Sequence, residues 1–347
     1  MSELPIKPYV KLELPMSRQH LCRIFNHACS RTVISLMLLA GSCHVLAQTW
    51  PDKPLRIIVP FSAGGAVDVV ARIIAERMAT SMGHSVIIDN RLGAGGVIGT
   101  EAVARATPDG YTLLQGTGST HGANSIVYKK LPYDPIKDFA PISMSVRSPF
   151  ILVVHPSVQA KTIAELVAYA RTHPGKLNYA SFGTGSSTHL ATELFKALTN
   201  TNLVHIPYKG SATAVAGTVA GEAQLMFDVL GTSGGHIKAG RLRVLGVGSA
   251  KRYALLPDTP TLAEAGVPGF EASVFFGFFA PAGTPRPIIE RLNREVRAAV
   301  AAPDVREKLI AMGNEVLGSS PEELAETVAN EVTKWRKLVA DRDIKFE

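Results

Sequence analysis

Residues 55–60 read "LRIIVP", a nearly unbroken apolar run that suits a strand buried on both faces. From Asp68 onward the pattern changes period. Val69, Val70, Ile73, Ile74 and Met78 recur at helical spacing, with Arg72, Glu76 and Arg77 between them. The glycine pair Gly64-Gly65 therefore sits where a strand ends and a helix begins, a junction that leaves backbone N–H groups without partners. The same alternation runs on. It predicts strands at 55–60, 85–89, 111–115, 150–154, 177–181, 203–207, 224–228 and 242–247. It predicts helices near 67–80, 98–106, 162–172, 188–199, 211–220, 286–301, 303–312 and 321–340. Such a sequence implies α/β architecture with largely parallel sheets.

Two extended stretches break the alternation. "SVRSPFILVVHPS" (145–157) is bracketed by Pro149 and Pro156, and "GFEASVFFGFFAPAGTP" (269–285) ends in Pro/Gly punctuation. Two crossings of this kind predict a second lobe inserted into the first: lobe 1 from 48–148 plus 271–347, and lobe 2 from 149–270. "RVLGVGS" (243–249) is the alternative point of return. Two lobes joined in this way leave a cleft between them, a favoured place for a ligand.

Composition narrows the class. The chain has 347 residues, 46% hydrophobic and 19% charged, which is ordinary for a globular protein. Its formal charge of +7 is scattered with no Lys/Arg run, so no nucleic-acid partner is expected. Residues 1–47 differ: Arg18, Arg23 and Arg31 precede the short apolar run "TVISLMLLAG", and Val45 and Ala47 occupy the small-residue positions before a signal-peptidase cut. This stretch reads as a secretory signal peptide, with Met1 or Met16 as the start, and places the protein in the periplasm. Cys22, Cys29 and Cys43 all fall within it, so disulfides and zinc–thiolate sites are not expected after the cut. A lipid anchor on Cys43 is the alternative.

Four glycine-rich loops join a strand to a helix: "PFSAGGAVD" (60–68), "RLGAGGVIGTEA" (91–102), "QGTGSTHGAN" (115–124) and "SFGTGSSTHL" (181–190). In the second, Gly93, Gly95 and Gly99 are spaced one residue too long for a dinucleotide fingerprint, and no loop continues into G-K-[ST]. The last loop is rich in hydroxyls. Ser186 or Ser187 is placed to cap the following helix, and hydroxyls beside free helix N–H groups also suit a carboxylate or phosphate. No G-x-S-x-G, H-E-x-x-H or C-x-x-C occurs, and the histidines show no ligand spacing. His121 and His189 each follow a Ser/Thr-rich loop, where they either line the cleft or bond locally.

Six motifs then follow one another in a recognisable order: "WPDKPLRIIVPFSAGGAVDVVAR", "RLGAGGVIGTEAVARATPDGYTLL", "LNYASFGTGSSTHLATELFK", "VHIPYKGSATAVAGTVAGEAQLMFD", "LPDTPTLAEAGVPGFE" and "FFAPAGTP". Together they resemble the Bug family, periplasmic solute-binding proteins of the tripartite tricarboxylate transporter type. The resemblance implies a type II periplasmic binding protein, two α/β lobes joined by hinge strands that close on a small carboxylated solute. It implies a monomer without cofactor, metal or catalysis, which delivers the solute to the transporter's membrane subunits. A periplasmic sensor presenting the solute to a signalling partner, and more remotely an α/β enzyme using the serine-rich loop, are the alternatives. By position, the first-lobe contacts fall on Phe61, Ser62, Ala63, Gly64 and Gly65, and on Thr117, Ser119 and His121. Those of the second lobe fall on Gly183, Gly185, Ser186 and Ser187, with Tyr208, Lys209, Gly210 and Asp228 nearby. Asp68 is expected to brace the first helix. Asp228 either meets an ammonium group or holds its loop. The absence of arginine from these loops points to dipoles and water as the carboxylate's partners.

Overall fold

The computed structural model describes residues 50–341 and 344. The signal peptide expected at 1–47, with Cys43, lies outside the described residues. Among the described residues the strands form two sheets, of six strands in the order β11 (Glu315–Val316), β4 (Phe139–Pro149), β10 (Ser273–Pro281), β3 (Thr112–Thr117), β1 (Leu55–Val59) and β2 (Val86–Asn90), and of five in the order β7 (Val204–Pro207), β6 (Asn178–Ser181), β8 (Leu225–Asp228), β5 (Ile151–Val154) and β9 (Arg243–Val247).

The first sheet begins as the hydrophobic pattern predicts. β1 (Leu55–Val59) is buried except at Arg56 and pairs in parallel with β2 (Val86–Asn90) and β3 (Thr112–Thr117). Between them run α1 (Ala66–Met82) and α2 (Val97–Ala104). Helix α1 buries Val67, Val70, Ala71, Ile74, Ala75 and Met78 along one stripe. Ile74 and Met78 have no exposed surface, and each contributes about 1.5–3 kcal/mol relative to exposure. The helix stops at Gly83, whose φ of 71° lets its N–H reach the Ala79 carbonyl.

After β3 a wide helical turn at Ser119–Ala123 leads into α3 (Asn124–Val127), and β4 (Phe139–Pro149) crosses the sheet. Only Phe150 separates β4 from β5 (Ile151–Val154), which already belongs to the second sheet. That sheet is completed by α4 (Ile163–Thr172), β6 (Asn178–Ser181), α5 (Ser187–Thr199), β7 (Val204–Pro207), α6 (Ser211–Val219), β8 (Leu225–Asp228), α7 (Leu230–Lys238) and β9 (Arg243–Val247). The chain returns to the first sheet through β10 (Ser273–Pro281) and ends in α8 (Arg286–Ala301), α9 (Pro303–Ala311), β11 (Glu315–Val316) and α10 (Pro321–Asp341).

The expectation of largely parallel sheets is corrected. β10 runs antiparallel to β3 and β4, β11 to β4, and β5 to both β8 and β9. The reason is the crossing itself. A strand that enters from the other lobe needs no helical crossover, so nothing forces it parallel to its neighbours. At the crossing point three segments bond to one another: Phe150 N–H to Ala272 O, Gly248 N–H to Phe150 O, and Ala272 N–H to Gly248 O. A Cβ on Gly248 would lie 2.7 Å from the Ala272 oxygen, so a side chain there would push the crossing segments apart.

Candidate functional site

Two helices present N-termini without a side-chain cap where the lobes meet. Gly65 precedes α1 and Gly210 precedes α6, and neither end has a capping hydrogen bond. They face each other closely: a Cβ on Gly65 would lie 3.5 Å from the Ala212 nitrogen, and one on Gly210 would lie 2.7 Å from Ser62 Oγ. Ser62 Oγ is buried here and has no hydrogen-bond partner among the described residues. A buried hydroxyl without a partner costs about 1–3 kcal/mol. Ser62, with the unpaired helix N–H groups beside it, is therefore suited to an acceptor with negative charge.

The loop that carries Ser62 is held from behind. Asp68, almost fully buried, accepts from the Gly64 amide (2.9 Å), Arg72 Nε (2.9 Å) and Asn90 Nδ2 (2.9 Å). Burial alone would raise its pKa, but these partners together hold the carboxyl below its ordinary value. Asp68 is thus a brace, and Asn90 extends it by donating to Phe61 O. Phe61 is buried, while Ala63 and Gly64 are exposed at the edge.

The hydroxyl-rich loops join the lobes directly. Ser119 Oγ lies 2.9 Å from Ser187 Oγ and accepts from the Ser187 amide at 2.9 Å. Tyr128 Oη donates to the Thr184 carbonyl at 2.9 Å. Thr117 shapes its own turn, its Oγ1 accepting from Ser119 N–H. Ser186 caps α5 through the His189 amide. The Gly183 amide bonds Ser181 Oγ, and the Gly185 amide bonds His189 Nδ1. These two glycines therefore shape the loop rather than offering free N–H groups. Burial pushes His189 down to about 4, so its ring is neutral and can accept.

Other expected residues stand back from the junction. His121 is fully buried, stacked on Phe279 at 3.8 Å and bonded to Thr120 Oγ1, and burial pushes it down to about 3. Asp228 is fully buried and accepts from Ser211 Oγ (2.9 Å), Thr232 Oγ1 (2.7 Å) and Ser233 Oγ. Burial raises it to about 6 against the pull of those hydroxyls. It ties the start of α6 to α7. The Tyr208 hydroxyl turns outward to Glu222 at 2.7 Å.

A pocket of about 330 Å³ opens at one mouth of this junction, and Phe61, Gly183, Tyr208 and Lys209 line it. So do Gly93–Gly96, Tyr128 and Phe182, which the sequence did not place in the site. The signal was present in the glycine loop at 91–102. Gly95 has φ of 60°, and a Cβ there would overlap the Thr184 carbonyl oxygen. The glycine is needed for contact between lobes rather than for a nucleotide. Among the described residues no group of three or more His, Cys, Asp or Glu is placed to hold a metal, and no helix is long and apolar enough to cross a membrane.

Hydroxyls and helix N-termini from both lobes thus meet at one junction. The family described as Tripartite tricarboxylate transporter family receptor matches residues 70–344. The chain belongs to this family. It is 44% identical to the UPF0065 protein of the tcbD-tcbE intergenic region of Pseudomonas sp. (strain P51), over 85% of this chain and 88% of that one. It is 38% identical to Protein BugT of Bordetella pertussis, over 87% and 93%. Among solved structures, R. palustris Rpa4515 with adipate superimposes with a TM-score of 0.82 at 39% identity, covering 85% of this chain and 99% of that one. MatC from Rhodopseudomonas palustris with bound malate gives 0.82 at 34%, covering 84% and 100%. The family is one of periplasmic solute-binding proteins, and the fold is that of Bug periplasmic binding proteins.

Proposed function

We propose that this protein captures a small organic acid between a first lobe, 48–148 plus 271–347, and a second lobe, 149–270, and delivers it to the membrane subunits of a tripartite tricarboxylate transporter. The supporting observation is Ser62: a buried hydroxyl without a partner among the described residues, between two helix N-termini whose N-cap glycines offer no side-chain cap. The adipate and malate held by two relatives are acids of this kind.

Magnitudes indicate how the acid is held. Micromolar affinity needs about −8 kcal/mol, and helix N-termini supply about 0.3–1 kcal/mol each. Direct hydrogen bonds to the charged carboxylate, at about 1.5–3 kcal/mol each, must carry most of it. Ser62 Oγ and the first-turn amides of α1 and α6 are the donors we assign. Closure follows because one carboxylate bonded to both lobes stabilises the state in which Ser119 meets Ser187.

The test is calorimetric titration of protein refolded from denaturant, which removes any carried ligand, with adipate, malate, benzoate and aspartate. At least one acid should bind at micromolar affinity or better, and the matching amide should not. If no acid binds, the clamp reading fails. Delivery is tested by uptake of the labelled acid into vesicles carrying the membrane subunits, which should require the added protein.

A further inference from the structure

A second pocket, of about 480 Å³, lies across the hinge from the cleft. Strand order places it there. In the first sheet the cleft loops follow β1, β2 and β3, whereas this pocket takes Arg147 from β4 and Glu315 from β11, at the opposite edge. In the second sheet the cleft loops follow β6, β7 and β8, whereas the pocket takes the segment after the other edge strand, β9. Of the crossing residues, Gly248 itself lines the pocket and is bonded to Phe150 and Ala272.

Its walls come from both lobes. Ile310 and Glu315 stand on one side, and Lys251, Tyr253 and Leu255 on the other, where Tyr253 Oη donates to the Gly313 carbonyl. Two of these residues are large aliphatic side chains in an unusual setting, Ile310 left 42% exposed and Leu255 43%. The volume falls within the range of small-molecule sites, about 300–1,000 Å³. The charges are mixed. Glu271 and Glu315 line the pocket, but so do Arg147, Lys251 and Arg252. Arg252 is bonded to Glu264 at 3.0 Å. Arg147 lies opposite Glu315 in the strand ladder, yet among the described residues neither Arg147 nor Lys251 has an ion pair. Glu271 and Glu315 are likewise without ion pairs among the described residues but are exposed to water, so an apolar surface beside the half-buried Arg147 suits a molecule with an apolar body and one anionic head.

We propose that this pocket is a second ligand site for a small amphipathic anion, and that its occupancy is coupled to closure of the cleft. Coupling follows from geometry. Rotation about the crossing residues that parts Ser119 from Ser187 must also move the Arg147 wall relative to the Tyr253 wall. An occupant that fits the closed spacing therefore favours closure, and by linkage the solute in the cleft strengthens the occupant to the same degree. The coupling rests on the proposed function, whereas the site does not.

The probe is 8-anilinonaphthalene-1-sulfonate, an apolar anion whose fluorescence rises on binding. It should bind saturably at one equivalent. Arg147→Gln should weaken it by at least tenfold, and Ile310→Trp, which fills the pocket from an exposed position, should abolish it. With the probe saturating, the cleft acid should bind tighter, by a factor of about 5–150, and the acid should tighten the probe by the same factor. Displacement of the probe by the cleft acid would place it in the cleft, and a signal indifferent to both pocket variants would mark adventitious surface binding. Either result overturns the site. Independent binding of probe and acid overturns the coupling. If no acid binds the cleft, the proposed function fails while the pocket variants still decide the site.

Discussion

Ser62 stands apart from its neighbours Asp68 and Asn90, which are fully engaged, because its hydroxyl is buried without a partner among the described residues. Ser62→Ala should weaken solute binding by about 10- to 150-fold, the equivalent of one hydrogen bond to a charged group at about 1.5–3 kcal/mol. The urea midpoint of the empty protein should hold or rise, since a polar atom without a partner has been removed. Calorimetry and denaturation on the same variant check both, and a loss of stability with unchanged affinity would count against the assigned role. Acid stability is also set residue by residue. Burial pushes His121 and His205 down to about 3 and His189 to about 4, while the unfolded chain protonates its imidazoles below about 6.5. The unfolded state therefore binds more protons than the native one, and stability falls as pH drops from about 6.5 toward 4. Asp228 acts in the opposite direction. Its raised pKa of about 6 lets the native state take up a proton that the unfolded carboxyl, at 3.8, does not, so its contribution grows as pH falls between those values. His205 is only partly buried and stacks on His189 at 4.2 Å, so the pair titrates as one coupled unit. One to two net protons remain on the histidine side, each worth about 1.4 kcal/mol per pH unit. Urea midpoints should fall steadily from pH 6.5 to 4.5; a midpoint that holds or rises would show that the buried histidines do not control acid stability.

Glycine turns divide by what lies opposite them, as Gly95 in the strand-to-helix loop at 91–102 and Gly175 in the turn between α4 and β6 show. Gly95 and Gly175 both have positive φ, 60° and 73°, and alanine at either should cost about 1–2 kcal/mol in backbone strain. Only Gly95 faces the other lobe, with the Thr184 carbonyl where a Cβ would go; around Gly175 nothing lies within 4 Å. Both alanine variants should therefore lose similar stability in the empty protein, but only Gly95→Ala should lose solute affinity, by more than tenfold. Equal affinities would mean that binding does not use the Gly95 contact. Legibility divides along the same line. β1 and α1 are legible because their pattern is local, and the brace expected of Asp68 because a carboxylate facing an acidic solute would repel it. The helix at Leu230–Lys238 was not read, since Gly231, Gly234 and Gly235 give it neither propensity nor stripe; it is supported by Thr232 and Ser233 bonding Asp228. The spacing at 91–102 excludes a dinucleotide fingerprint but names no partner for the loop, because spacing within a loop does not say which carbonyl from another lobe approaches it. For His121 the sequence leaves cleft lining and local bonding open, because Phe139 and Phe279, which enclose it, are distant in sequence.

For the molecule as a whole, the bonds that join the lobes at the cleft are few and specific, so closure can be controlled at one point. Ser119 Oγ and Ser187 Oγ approach to 2.9 Å and come from opposite sheets. In protein produced from residue 48 onward no native cysteine competes, because the three in the chain are Cys22, Cys29 and Cys43. The double variant Ser119→Cys, Ser187→Cys should thus form one disulfide across the cleft when the lobes meet. Oxidised while empty, it should bind no solute, since the acid can enter only when the lobes part. Oxidised after loading, it should retain the solute through dialysis and release it on reduction. Both effects should reverse with a thiol reductant, and scattering profiles of the reduced, empty protein should show a larger radius of gyration than the oxidised form. If the oxidised, empty variant binds as well as the reduced one, solute reaches its site without separation of Ser119 from Ser187. The anion grip would then have to lie outside the interface between the lobes, for example at the exposed edge formed by Ala63 and Gly64.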